Sequence, residues 1–284
     1  MKRYVIVTES GSDLSHSILS RHHIQVLPMH VALGNADYTD GSISIEELCD
    51  YYDKTGKTPT TSAVSPYEYQ KVFEKIGTEN PKADIIHISY SSRVSNTFQN
   101  ALIASKGVNS IYHIDSLNVS GGLALVVMKA IQLIEKFPDI TSEKLVACVK
   151  ACADLTRFAF IPGNLDYLRA GGRVSNAQYL GASLLKIKPL IEIVDGKLIS
   201  AKKHRGSMKN VAQQVIKDFF SKFEIDKKEI CLVHTSRVDE ETRSDMEKHV
   251  RALGVEKVTW LQAGCVITTH SGPGGIGIAA MEKG

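Results

Sequence analysis

The sequence predicts an α/β protein of two domains: an N-terminal parallel-sheet α/β/α domain over residues 1–160 and a smaller mixed-sheet α/β domain over residues 161–284. Two observations carry this reading. Strand-type and helix-type segments alternate through the first half, which implies a parallel sheet covered on both faces. The second half contains an Asp195-Gly196 dipeptide between two apolar runs, a hairpin signal, followed by two helix–strand units. That order suggests a mixed sheet with helices on one face. The 284 residues suffice for two domains. The apolar fraction of 43% and charged fraction of 23% are ordinary for a globular chain.

In order along the chain, Tyr4–Thr8 and Ile24–Leu33 read as strands. Ser44–Tyr52 reads as a helix, with Ser44 as N-cap and Glu47 completing a capping box. Ser65–Ile76 follows, with Pro66 in its first turn. Ile85–Ser89 and Ile111–Ile114 are short buried-type strands, and Gly122–Lys136 and Glu143–Asp154 are helices. Asn164–Val174 is polar and glycine-punctuated. Ile187–Val194 and Lys197–Ala201 flank the hairpin dipeptide. Met208–Lys222 is an amphipathic helix, and the strand Ile230–His234, the helix Glu240–Leu253 and the strand Val255–Leu261 complete the pattern.

Composition narrows the function. A formal net charge of +3 and the lack of a dense basic tract with interleaved aromatics argue against nucleic acid. Lys202-Lys-His-Arg205 is a short basic cluster that reads equally as a solvated loop. The five cysteines are odd in number, lie mostly in apolar segments and form no C-x-x-C pair, as expected of buried thiols in a reducing compartment. The charged start runs at once into a short strand, unlike a signal peptide. Leu123–Met128 is apolar but broken by Lys129, too short for the roughly 20 residues that span a bilayer. A cytoplasmic protein is expected. Neither a G-x-S-x-G elbow nor H-E-x-x-H spacing occurs, so hydrolase and metal chemistry lack a positive motif.

The most informative stretch is Asp84–Thr97. An apolar run ends at Ser89, and five hydroxyl side chains follow: Tyr90, Ser91, Ser92, Ser95 and Thr97. A helix-type segment begins near Thr97. Strand, polar loop and helix N-terminus together favour an anion, although hydroxyls also cap helices without binding anything. Thr60, Thr61 and Ser62 precede the Ser65 cap and exceed what one cap needs. His270 sits among Thr268, Thr269 and Ser271 before a glycine-rich stretch that matches G-x-G-x-x-G through Gly277. Dinucleotide binding is rejected there, because no helix, second strand and ribose-binding acid follow. Arg169 and Arg173 flank the pair Gly171-Gly172, where Arg173 suits a phosphate, or else a surface ion pair with an acid such as Asp166.

In this order the motifs resemble those of the DegV family of bacterial fatty-acid-binding proteins, the lipid-carrying subunits of fatty acid kinase. The resemblance covers the full length. It includes Val7-Thr8-Glu9-Ser10-Gly11-Ser12-Asp13-Leu14, Tyr38-Thr39-Asp40-Gly41, Thr61-Ser62-Ala63-Val64-Ser65-Pro66 and Ser91-Ser92-Arg93-Val94-Ser95-Asn96-Thr97. It continues through Leu168–Val174, Lys186–Leu190 with Asp195-Gly196, and the block at His270. The resemblance implies a two-domain fold with a long-chain fatty acid between the halves. By motif, the carboxylate falls to Thr61, Ser95, the N–H of Asn96 and His270. Arg173 and Arg205 match positions serving phosphoryl transfer with a kinase subunit. It implies no cofactor beyond the bound lipid, no catalysis by this chain alone, and transient contact with a membrane surface. Three positions depart from the pattern: Ala63-Val64 stands for Gln-Pro, Asn96 for Gly and Glu9 for Asp. The same residues allow two other readings: an esterase or thioesterase using Ser95 or His270, and a regulator that senses a bound lipid.

Overall fold

The computed structural model describes residues 4–108, 110–174 and 187–284. Lys186, the first residue of one family-type motif, lies outside the described residues. The first half is built on a four-stranded parallel sheet of β1 (Tyr4–Glu9), β2 (Gln25–Leu27), β6 (Asp84–Ser89) and β7 (Ile111–Asp115), in the order β2-β1-β6-β7. Alternation along the strands divides its two faces. Tyr4, Ile6, Ile86 and Ile88 join the core cluster that includes α5 (Ser120–Lys136) and α6 (Ser142–Leu155). Val5, Val7 and Ile85 turn the other way, towards α2 (Ile45–Thr55), α3 (Pro66–Glu79) and α4 (Thr97–Ala104).

The expected strand Ile24–Leu33 is two strands. Pro28 supplies no N–H to a ladder, and the chain changes sheets there. β2 stays at the edge of the parallel sheet. β3 (His30–Leu33) instead centres a small antiparallel sheet between β4 (Ala36–Thr39) and β5 (Thr60–Ser62). The expected capping boxes form: Ser44 with Glu47 opens α2, and Ser65 with Glu68 opens α3 with Pro66 in its first turn. α1 (His16–His22) packs Ile18 and Leu19 on the first core cluster.

The second half forms a six-stranded mixed sheet, ordered β10-β9-β8-β13-β11-β12. Its strands are β8 (Thr156–Ile161), β9 (Ile187–Val194), β10 (Lys197–Arg205), β11 (Ile225–His234), β12 (Lys257–Gln262) and β13 (Ile276–Glu282). Sheet membership therefore changes after Leu155, a few residues before residue 160. The Asp195-Gly196 hairpin forms as expected. Both residues have positive φ, 49° and 77°, the conformation of a two-residue type I′ turn.

The expectation of helices on one face alone is corrected. α8 (Met208–Lys222) and α9 (Glu240–Ala252) cover one face through Val211, Val215, Met246 and Val250. α5 of the first half covers the other, with Phe158, Val233 and Ala279 in its cluster. Both halves thus share one apolar layer, which periodicity within either half does not reveal. Two short helices complete the described residues: α7 (Leu165–Gly171), in the stretch that is polar and glycine-punctuated in sequence, and α10 (Cys265–Ser271).

Candidate functional site

The site lies where the two halves meet, and α10 is its hinge-pin. Two carboxylates of the first half hold the start of this second-half helix. Asp13 accepts from Gly264 N at 2.8 Å, and Asp40 accepts from Cys265 N at 3.0 Å. Ser120 Oγ also donates to Asp13, at 2.5 Å. Burial is the main cause that raises Asp13 to about 8, so this carboxyl is largely protonated at neutral pH. Tyr52 to Asp166, at 2.7 Å, and Arg237 to Asp53, at 2.8 Å, add surface ties between the halves.

The far end of α10 presents His270. Its Nε2 lies 2.8 Å from Thr61 Oγ1 on β5, so the structure brings together two residues 209 positions apart. Nδ1 is buried and has no hydrogen-bond partner among the described residues. Burial first, and then the nearby Arg173, hold His270 down to about 3, so the ring is neutral at physiological pH. Gly171 is explained by this ring. A Cβ there would lie 2.4 Å from Nδ1, so any larger residue would displace the histidine.

Behind His270 lies an apolar cavity. Phe158, Phe160 and Ile161 of β8, Leu198 of β10, Val233 of β11 and Ile267 of α10 line it, together with Tyr90 and Ser120. It offers about 40 Å³ to a water-sized sphere, so a long acyl chain enters only if these side chains move apart.

The residues that follow Thr61, Ser62 and Ala63, line an open polar basin of about 670 Å³. Ser95, Asn96 and Arg173 all line it. Ser95 Oγ is 2.7 Å from Thr97 Oγ1 and accepts from Thr97 N at 3.2 Å. Asn96 is the N-cap of α4 but makes no side-chain cap. Its φ of −80° is open to any residue, so Asn in place of Gly carries no backbone strain. Arg173 does not pair with Asp166: Arg169 takes that acid at 3.4 Å, while Arg173 Nη1 donates to Gly171 O at 2.6 Å. Arg205 lies elsewhere. It ends β10, eight residues beyond Lys197 at the basin, which is on the order of 25 Å of strand, and it lines neither cavity.

Glu9, which stands where the motif pattern has Asp, ends β1. It is fully buried, and its carboxylate accepts from Tyr69 OH, His87 Nε2 at 2.5 Å, Ser89 Oγ at 3.2 Å and Tyr90 N at 2.8 Å. His87 Nδ1 meets His113 Nδ1 at 2.8 Å, and His113 Nε2 meets Ser105 Oγ at 2.7 Å. Burial pushes Glu9 up, but His87 and the hydrogen bonds from Tyr69 and Tyr90 outweigh it and hold the carboxyl below its usual range. The network fixes the strand end from which Tyr90 reaches the apolar cavity. An apolar run containing one histidine gave no sign of it.

The site is an apolar cavity lined in part by a neutral histidine whose Nε2 meets Thr61. The chain belongs to the DegV family: the model described as an uncharacterised protein of the DegV family matches residues 3–283. A DegV domain-containing protein of Caldanaerobacter subterraneus is 32% identical over 289 residues, covering all of both chains. A solved DegV family protein from Thermus thermophilus, described for its fatty acid binding, superposes with a TM-score of 0.88 at 27% identity, covering 99% of this chain and 100% of that one. The Streptococcus pneumoniae fatty acid kinase B3 protein, loaded with linoleic acid, shares the fold with a TM-score of 0.84 at 19% identity, covering 99% of each chain. None of the described helices is long and apolar enough to cross a membrane.

Proposed function

We propose that this protein binds a long-chain fatty acid and presents its carboxylate to a kinase subunit for conversion to an acyl phosphate. One observation carries the reading: an apolar cavity lined by His270, whose ring meets Thr61, and a polar basin lined by the adjoining Ser62 with Ser95 and Arg173. With its proton on Nε2, His270 donates to Thr61, and the threonine hydroxyl is free to donate to a carboxylate. Ser95 and the N–H of Asn96 line the polar basin and complete the proposed head-group set from there. A tail burying a dozen methylenes gains about 10 kcal/mol gross, at about 0.8 kcal/mol each, before ordering costs. Hydrogen bonds to the charged head add about 1.5–3 kcal/mol each. The tail therefore sets most of the affinity, and the head sets orientation.

The same geometry favours a carrier over an esterase. A Ser-His-acid arrangement needs the histidine beside a serine and a carboxylate on its second nitrogen. Here Nε2 faces Thr61, Ser95 bonds Thr97, and Nδ1 has no acid among the described residues. The kinase role rests on Arg173 at the open side of the basin and on the likeness to the kinase-system protein of Streptococcus pneumoniae. Arg205, out of reach of the carboxylate, fits only a place on the docking surface.

Fatty acid titrations of Thr61→Ala, Ser95→Ala and the double variant test the head-group assignment. Each single change is expected to weaken binding by about 1–3 kcal/mol, with a larger loss in combination. A double variant that binds as tightly as the parent would remove both residues from the carboxylate.

A further inference from the structure

We propose that the basin is a phosphate site of this chain, and that Arg93 and Lys197 complete it beside Arg173. The inference rests on the carrier reading for why a phosphoryl group arrives there, but the residues themselves define the ligand's chemistry. Three cationic side chains line one concave surface together with Ser62, Ser92 and Ser95. They come from separate segments: Arg93 from the loop between β6 and α4, Arg173 from the turn after α7, and Lys197 from the start of β10. Among the described residues, neither Arg93 nor Lys197 has an ion-pair partner, unlike Lys202, Lys209, Lys222 and Lys257, which each pair with an acid. The neighbouring Asp115 is turned to the backbone, accepting from Ser92 N at 3.2 Å and Leu117 N at 3.0 Å. Asp195 is exposed at the hairpin tip. The basin thus keeps a positive excess lined with hydroxyl donors, at a helix start whose N-cap side chain makes no cap.

A specific contact brings together the segments that carry the two new cations. The hairpin tip of the second half docks on the hydroxyl-rich loop of the first, where Ser91 Oγ donates to Gly196 O at 2.7 Å in a buried contact. A Cβ at Gly196 would lie 2.8 Å from Arg93 Cγ and 2.7 Å from Ser91 Oγ. The glycine therefore serves both the left-handed turn and the close approach. The turn that forms the hairpin also delivers Lys197 to the basin. A carboxylate alone has one charge and needs no such cluster, whereas a phosphoryl group carries up to two charges and three acceptor oxygens.

The test titrates the full-length protein with inorganic phosphate, following the amide signals of Ser92–Asn96 and Gly172, with sodium chloride at matched ionic strength as control. Acetyl phosphate and magnesium ATP are titrated in parallel, and oleate affinity is measured on the same samples. The parent is expected to saturate with phosphate. The Arg93→Ala/Lys197→Ala variant should bind it at least tenfold more weakly, with oleate affinity within twofold and an unchanged melting curve. Lys197→Arg should restore most of the loss in a Lys197→Ala background comparison. Tighter binding of acetyl phosphate than of ATP would support the acyl-phosphate head as occupant, and the reverse order would support the kinase's nucleotide. Equal responses to phosphate and chloride, or an unchanged double variant, would overturn the site. A parent that binds phosphate but not oleate would sink the carrier reading and leave the basin standing.

Discussion

Replacing Glu9 by Ala is expected to cost about 3–5 kcal/mol of stability and to lower the melting temperature on the order of 10 °C. The carboxylate is fully buried, and four donors converge on its two oxygens: Tyr69 OH, His87 Nε2, Ser89 Oγ and Tyr90 N. Removing it strands all four in a dry interior. Glu9→Gln should fail almost as badly, because its amide group would bring donors to a place already crowded with them. The sign of the pH dependence follows from the depressed carboxyl. A Glu held below its ordinary 4.5 contributes stability that is present above that pH and lost as pH falls through its folded value. The gap between parent and Glu9→Ala should therefore be largest near neutrality and narrow below about pH 4.5. His113, held down to about 4 by burial and His87, adds an acid sensitivity of the same sign, lost as pH falls from 6.5 towards 4. Urea unfolding of both proteins between pH 4 and 8 measures the effect, and a gap independent of pH would contradict this account of Glu9.

Arg173→Ala is expected to leave folding and fatty acid affinity near normal and to reduce acyl-phosphate formation with the cognate kinase and ATP by about 10²-fold or more. Arg173 is exposed, lines the polar basin and is absent from the apolar cavity. Its guanidinium is near enough to His270 to help keep that ring neutral. A fixed cation there stabilises charge that develops on a transferred phosphoryl group. An ordinary surface ion pair, in contrast, is worth about 0–1 kcal/mol, and its loss would pass unnoticed. Single-turnover phosphorylation beside a lipid titration separates the roles. Unchanged phosphorylation would remove Arg173 from the transfer, and lost lipid binding would move it into the pocket.

The local signals read well from sequence because their causes are local. Ser44 and Ser65 cap because Glu47 and Glu68 follow three residues later. Asp195-Gly196 turns because both residues tolerate positive φ. The run around Pro28 read as one strand because both of its pieces are strands, although they belong to different sheets. Longer-range facts stayed hidden. β13 occupies the interior of the six-stranded sheet, but its Gly277 and small residues read as a glycine-rich turn near the chain's end. The sharing of α5 by both sheets depends on contacts between halves, which no periodicity within one half encodes. At the site, Thr61 and His270 each stood out among neighbouring hydroxyls, but only motif order put them in one site, because the fold alone joins positions so far apart. Arg93 and Lys197 gave no signal, since a single cation in a loop or at a hairpin end is usually solvated.

The most direct measurement of the central claim is native mass spectrometry of the purified protein, with the co-purified small molecule extracted, identified and returned to the delipidated chain. The account predicts about one long-chain fatty acid per chain, released on denaturation and rebound at micromolar concentration by protein freed of it. A delipidated, folded protein that rebinds no fatty acid at that concentration would contradict it.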